Sequence, residues 1–220
     1  MQIRLLAILA FISFSISYGY SQAPPFADDI QAFERADSVH FPGRNEILFV
    51  GSSSFTKWTD VQDYFPGYPI INRGFGGSTL EDVIRYANRI IFPYKPRQVV
   101  IYCGENDLAY ADTVTAETAY QRFRTLFGMI RKKMPGENIV FLAIKPSPSR
   151  ANQRPRQNQA NLKIKTFLSK QSNAYFVDVA HPMLGADGKP LASIFVSDSL
   201  HMNAKGYAIW QKAILPYLKK

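Results

Sequence analysis

A chain of 220 residues that is 46% hydrophobic and 20% charged can close one core of ordinary size, which excludes disordered and fibrous classes. One cysteine cannot staple the fold with an internal disulfide, and three histidines beside it give no ligand cluster for metal-dependent hydrolysis. The net charge of +9 would suit an anionic partner, but the basic residues are scattered without zinc-finger spacing or aromatic nucleic-acid signature, so a solvated basic face is expected and nucleic acid is not.

The first residues read as a leader. Arg4 supplies a positive charge, residues 5–16 are apolar apart from Ser13 and Ser15, and the small residues Ser17 and Gly19 follow. That order is the pattern of a secretory signal peptide, expected over residues 1–21 with cleavage near 19–23, ahead of a single domain over 24–220. The apolar run falls short of the roughly 20 residues that a spanning helix needs. A secreted or periplasmic protein, with no stable membrane insertion after signal removal, is therefore expected.

Apolar runs at 46–50, 69–72, 98–102, 138–144 and 174–179 read as strands. They lack strict polar alternation, as strands covered on both faces do. Between them, 79–90 places Leu80, Val83, Ile84 and Ala87 at helical spacing, and 115–134 places Ala119, Phe123, Leu126, Phe127 and Ile130 likewise. Segment 158–170 carries Leu162, Ile164, Phe167 and Leu168, and 204–218 closes the chain behind Asn203 as its N-cap. Thr115 is a second candidate cap, with Thr118 rather than Glu at the capping-box position. Residues 147–158 are polar and carry Pro and Arg, which reads as a loop; Arg150, Arg154 and Arg156 within it follow the fourth strand, where they could border the site and favour an anionic substrate, but a solvated loop is expected. Cys103 ends the third strand as a small buried hydrophobe. Strands alternating with helices imply right-handed crossovers and a parallel sheet. The predicted fold is α/β, a three-layer α/β/α sandwich with a five-stranded parallel sheet.

Ligand sites in such sheets lie beyond the carboxyl ends of the strands. Those positions hold Gly51-Ser52-Ser53 after the first strand, Gly74-Phe75-Gly76-Gly77 after the second, and Gly104-Glu105-Asn106-Asp107 after the third; Asp198-Ser199-Leu200-His201 precedes the last helix. Together they supply a hydroxyl, backbone amides, a side-chain amide, an imidazole and a carboxylate. Acyl transfer needs this set: a serine is a weak nucleophile without a base, the base needs an orienting carboxylate, and the tetrahedral oxyanion needs fixed donors. Each block alone could be a cap or a tight turn. His40 and His181 are rival bases, but neither sits in an Asp-x-x-His arrangement.

The four blocks, in this order, resemble those of the SGNH/GDSL hydrolases, with the pattern of the platelet-activating-factor acetylhydrolase-like and carbohydrate acetylesterase group. The resemblance runs from about Glu46 to the end of the chain. It implies Ser53 as nucleophile, His201 as general base and Asp198 as its orienting partner. It implies an oxyanion hole from the Ser53 and Gly77 amides and the Asn106 side chain, with no metal and no organic cofactor. The family's usual Asp at the second position of the first block is Ser52 here. That Asp mainly organises the loop, so the mechanism is expected to survive the change, but three consecutive serines leave the assignment of Ser53 to the motif alignment. The implied activity is a serine esterase on short acyl groups, chiefly acetyl, carried by a sugar or other polyol such as an acetylated polysaccharide. A lysophospholipase or thioesterase for longer chains, and a non-catalytic carbohydrate or lipid binder, stay open as alternatives. The α/β-hydrolase elbow Gly-x-Ser-x-Gly is ruled out by Phe55.

Overall fold

The computed structural model describes residues 23–110 and 112–220; the expected signal segment, residues 1–21, lies outside them. Five parallel strands form one sheet: β1 (Ile47–Gly51), β2 (Ile70–Gly74), β3 (Gln98–Tyr102), β4 (Asn138–Leu142) and β5 (Ala174–Val177), in the spatial order β2-β1-β3-β4-β5. The α/β expectation is met, and the reason is visible in the strands. With a side-chain period of two, Leu48 and Val50 of β1, Val99 and Ile101 of β3, and Ile139 and Phe141 of β4 enter one apolar layer. Their neighbours Ile47, Phe49, Val100, Tyr102, Val140 and Leu142 enter the other. Both faces need cover, so the strands carry no polar alternation.

Helices α1 (Ala27–Val39), α4 (Leu80–Ile90), α6 (Ala116–Lys133) and α7 (Arg154–Leu168) cover the first face, through Ile30, Val83, Ala87, Phe123, Leu126, Ile164 and others. The second face is covered by α2 (Ser53–Thr56), α3 (Val61–Tyr64) and α8 (Ala204–Ile214), with α5 (Glu105–Tyr110) following β3 at the sheet's carboxyl edge. An aromatic cluster dominates that second layer: Trp58 stacks on Tyr207 at 4.6 Å between centroids, and Tyr102 meets Trp210 edge-on at 4.7 Å. Such pairs add about 0.5–1.5 kcal/mol each beyond their buried area. The cluster anchors α8, and with it the turn that precedes α8, onto the segment after α2 and the end of β3.

The capping residues act as their chemistry suggests. Thr79 and Asp82 form a full capping box on α4, Thr115 accepts from the Thr118 amide, and Asn203 accepts from the Lys205 and Gly206 amides. Several boundaries differ from the sequence reading. Helix α7 begins at Arg154, not 158, because Pro155 fits the first turn, where its missing N–H costs nothing, and residues Pro148–Gln153 form a 3-10 turn rather than an irregular loop. Strand β4 stops at Leu142 because the Asn161 side chain takes over both Ile144 backbone groups, at 2.8 and 2.9 Å. Helix α8 stops at Ile214, where Pro216 tightens the chain into a 3-10 turn.

Candidate active site

In the strand order β2-β1-β3, successive connections leave β1 and β3 in opposite directions, which opens a crevice at their carboxyl ends. The site is built there. Gly51 ends β1 with φ +143°, and a Cβ on it would stand 1.9 Å from the Tyr102 carbonyl oxygen, so only glycine lets β1 lie this close to β3. The chain then turns at once into α2. Its first residue is Ser53, and the Phe55 and Thr56 amides close back on the Ser52 carbonyl. The Ser53 N–H precedes the first helical bond and is left free, as the opening donors of a helix are; among the described residues it has no acceptor.

The three serines are separated by geometry. Ser52 and Ser54 are buried, Ser52 against Asn106, while the Ser54 carbonyl accepts from the Tyr207 hydroxyl at 2.9 Å. Ser53 alone reaches an imidazole: its Oγ lies 3.0 Å from His201 Nε2. His201 Nδ1 lies 2.6 Å from Asp198 Oδ2. The other oxygen, Asp198 Oδ1, accepts from the Leu200 and His201 amides, both at 2.9 Å. The turn that allows this puts Ser199 in the left-handed region at φ +55°, a conformation that costs a non-glycine residue about 1–2 kcal/mol. The Ser149 amide, donating to the Ser199 carbonyl at 3.1 Å, helps to hold it.

Gly77 lies in the turn between β2 and α4 with φ +86°. That turn is tied down on all sides: Phe75 N and Ser78 Oγ donate to the Gly51 carbonyl at 2.9 and 3.1 Å, and Leu80 N donates to Asp107 Oδ2 at 2.9 Å. The Tyr110 hydroxyl fixes the Gly77 carbonyl at 2.8 Å. The Gly77 N–H has no acceptor among the described residues. Asn106, expected in the oxyanion hole and with a turn as its rival reading, stands in α5, buried; its Nδ2 donates to Ser52 Oγ at 2.7 Å and to the Ser78 carbonyl at 3.0 Å. Ser52, where an Asp was the expected residue, therefore occupies one of the two Asn106 amide hydrogens.

The structure thus brings Ser53, Asp198, His201, Gly77 and Asn106 into one crevice. The rivals stay outside the Ser53 hydrogen bond. His181 is exposed and opens a 3-10 turn after β5, its amide accepted by Asp178, and His40 is exposed at the end of α1. Cys103 is buried, and desolvation, with Asp107 nearby, pushes its thiol well above the ordinary range. Partial desolvation raises Asp198, but its bonds from the His201 ring and from the His201 and Leu200 amides outweigh it and hold the carboxyl well below the usual range.

A carboxyl depressed in this way stabilises the fold in its ionised form. The stabilisation is complete above the unfolded aspartate value near 4 and is lost as pH falls through the lower folded value. The melting temperature of the wild type is therefore expected to exceed that of Asp198→Asn at neutral pH, and the gap to close progressively below about pH 4. A gap that stays constant from pH 7 to pH 2 would contradict this account.

Three charged residues that the sequence reading placed in no catalytic role, Glu105, Lys145 and Arg150, stand directly behind the crevice. Glu105 accepts from the Tyr102 hydroxyl at 2.6 Å and pairs with Lys145, whose Nζ is 3.0 Å from Oε2. Lys145 is buried and also donates to the Leu200 carbonyl at 2.9 Å, next to His201. Arg150 donates from Nη1 to Asn106 Oδ1 at 3.0 Å, with Glu105 3.5 Å away. The three arginines expected to be solvated are tethered instead: Arg154 to the Gly188 carbonyl, and Arg156 to Asp112. The hints in the sequence were a lysine at the end of a wholly apolar run and an arginine-bearing stretch directly after the fourth strand. A cavity of about 360 Å³ at the carboxyl ends of β4 and β5, with Gln157, Asn161 and His181 in its wall, is lined by none of Ser53, Gly77, Asn106 or His201.

A family model for the GDSL-like lipase/acylhydrolase family matches residues 15–209. No protein of curated function matches. Among solved structures, a putative platelet activating factor from Streptococcus pneumonia is 19% identical, with TM-score 0.75 over 87% of this chain and 92% of its own. A GDSL-like lipase from Bacteroides thetaiotaomicron is 17% identical, with TM-score 0.70 over 85% and 95%. An acetylxylan esterase from Geobacillus stearothermophilus is 18% identical, with TM-score 0.63 over 80% and 94%. At these identities the likeness is one of fold.

Proposed function

The chain belongs to the GDSL-like lipase/acylhydrolase family, and on that premise we propose that it is a serine esterase in which Ser53 carries the acyl group, His201 is the base and Asp198 orients it. One observation carries the reading: an unbroken hydrogen-bond chain of 3.0 and 2.6 Å from Ser53 through His201 to Asp198, beside two unengaged backbone amides. The Geobacillus esterase has been solved as catalytic mutants with a serine and a histidine replaced, which supports the same pair of residue types here.

In this mechanism Ser53 Oγ attacks the acyl carbon while His201 Nε2 takes the hydroxyl proton. The carbonyl oxygen becomes an oxyanion, received by the Ser53 and Gly77 amides and by Asn106 Nδ2. Collapse breaks the bond to the alcohol oxygen, which leaves with the proton from His201. Water then repeats the sequence on the acyl-serine, releasing the acid and restoring Ser53. Asp198, held ionised, keeps the Nδ1 proton in place and balances the transient imidazolium.

For the substrate we propose a short acyl group, acetyl first, on a sugar or other polyol outside the cytoplasm. The leader pattern at residues 1–21 and the acetylxylan esterase among the fold relatives support this. No helix among the described residues is long and apolar enough to cross a membrane. On p-nitrophenyl acetate, butyrate and octanoate, kcat/KM is expected to fall as the chain lengthens, by about 10-fold or more from acetate to octanoate, a difference of some 1.4 kcal/mol in transition-state binding. A preference for octanoate would favour the lysophospholipase or thioesterase alternative. Failure to turn over any activated ester would favour the non-catalytic binder.

A further inference from the structure

We propose that Arg150 is a positioning residue for acyl transfer, holding and polarising the Asn106 amide so that the N–H not held by the Ser78 carbonyl is offered to the oxyanion. The inference rests on the serine-esterase reading above and concerns a residue that, among the described residues, makes no hydrogen bond to Ser53 or His201.

The argument begins with donor chemistry. An Asn amide presents a carbonyl at one end and N–H groups at the other, and can sit either way round in a pocket of neutral partners. A guanidinium has donors only. Arg150 Nη1 at 3.0 Å therefore requires the Asn106 oxygen on its own side and sends Nδ2 toward the crevice. The Ser78 carbonyl, an acceptor at 3.0 Å from Nδ2, fixes the same orientation from the opposite end. The cation adds what that carbonyl cannot. It draws electron density toward Oδ1, which makes the amide hydrogens stronger donors to an anion, and hydrogen bonds in a poorly solvated site reinforce one another in this way.

The charge balance points the same way. Glu105 is shared by Lys145 at 3.0 Å and Arg150 at 3.5 Å. The buried Lys145 is the closer partner of the carboxylate. Arg150, with its side chain 16% exposed, is the less tightly held of the two cations and the one that stands beside the amide that must meet the oxyanion. The segment that carries Arg150 is itself braced against the histidine turn, by Lys145 Nζ on the Leu200 carbonyl at 2.9 Å and by Ser149 N on the Ser199 carbonyl at 3.1 Å. One stretch after β4 thus supports both halves of the site.

The test is a double-mutant cycle of Arg150→Gln and Asn106→Ala on p-nitrophenyl acetate, a neutral ester. Arg150→Gln is expected to lower kcat by about 10-fold with KM within about twofold, the signature of an interaction made in the transition state. Added to Asn106→Ala it is expected to cost nothing further, because it acts only through that amide. Arg150→Lys, which keeps the cation, is expected to recover part of the loss. A raised KM with kcat unchanged would make Arg150 a substrate contact, and losses that multiply in the double variant would make its role independent of Asn106; either overturns the proposal. If Ser53→Ala is inactive and Asn106→Ala impaired while Arg150→Gln keeps full activity, this inference fails and the esterase reading stands; turnover surviving Ser53→Ala removes that reading instead. A second readout needs no turnover. The Asn106 side-chain amide hydrogens, identified in a nitrogen-15 spectrum by their loss in Asn106→Ala, keep their Ser52 and Ser78 acceptors in Arg150→Gln but lose the polarising cation on Oδ1, so they are expected to shift upfield in that variant. Unchanged amide shifts overturn the proposal.

Discussion

Ser53→Ala and His201→Ala are each expected to lower kcat on p-nitrophenyl acetate by about 10⁴-fold or more, and the double variant to fall no further. The losses do not add because the two side chains perform one step: the hydroxyl is useless without a proton acceptor, and the imidazole at 3.0 Å has no other nucleophile to serve. Ser52→Ala and Ser54→Ala are the informative neighbours. Both of those serines are buried, Ser52 against Asn106 and Ser54 beneath α8, so neither hydroxyl can replace Ser53. Removing the Ser53 hydroxyl breaks no buried hydrogen bond except the one to His201, so Ser53→Ala is expected to melt within a few degrees of wild type. Activity persisting in Ser53→Ala but lost in Ser52→Ala would move the nucleophile by one residue and overturn the site.

The sheet was legible because its strands are short apolar runs punctuated by glycine, and doubly covered strands cannot hide. The blocks holding Ser53, Gly77 and His201 could be picked out before any geometry because they stand at strand exits and a helix entrance, where a parallel sheet concentrates function; within each block it was the resemblance to the SGNH/GDSL pattern that singled out the residue. What could not be read is what depends on tertiary partners. Helix α5 was concealed because Gly104-Glu105-Asn106-Asp107 has the composition of a turn, and only the Arg122 and Leu80 contacts to Asp107 show it to be a packed corner. Helix α1 buries fully only Ile30, so its sequence carries a weak apolar stripe. Lys145 and Arg150 read as surface charge because a buried cation cannot be told from a solvated one until its carboxylate is found, and Glu105 lies forty residues away from Lys145 in sequence. The substitution of Ser52 for an aspartate was visible, but its consequence, a hydroxyl that engages Asn106, was not.

That consequence bears on the second large effect. Asn106→Ala is expected to lower kcat by about 10²- to 10³-fold, some 3–4 kcal/mol, with little change in KM, because the bond it removes is made to the oxyanion and not to the ground-state carbonyl. In the resting structure both Asn106 hydrogens are engaged, one by the Ser78 carbonyl and one by Ser52 Oγ at 2.7 Å. The Ser78 bond orients the amide; the Ser52 bond is the one that must be shared or released when the oxyanion forms. A neutral hydroxyl is a weaker acceptor than a developing alkoxide, so the exchange favours the transition state. Ser52→Ala removes the competitor but leaves Arg150 and the Ser78 carbonyl in place, so its activity is expected to stay within about 10-fold of wild type. Asn106→Ala combined with Ser52→Ala should then match Asn106→Ala alone, since Ser52 has no other route to the chemistry. If Ser52→Ala alone proves as damaging as Asn106→Ala, the hydroxyl is itself a donor to the oxyanion, and the hole is built from four groups rather than three.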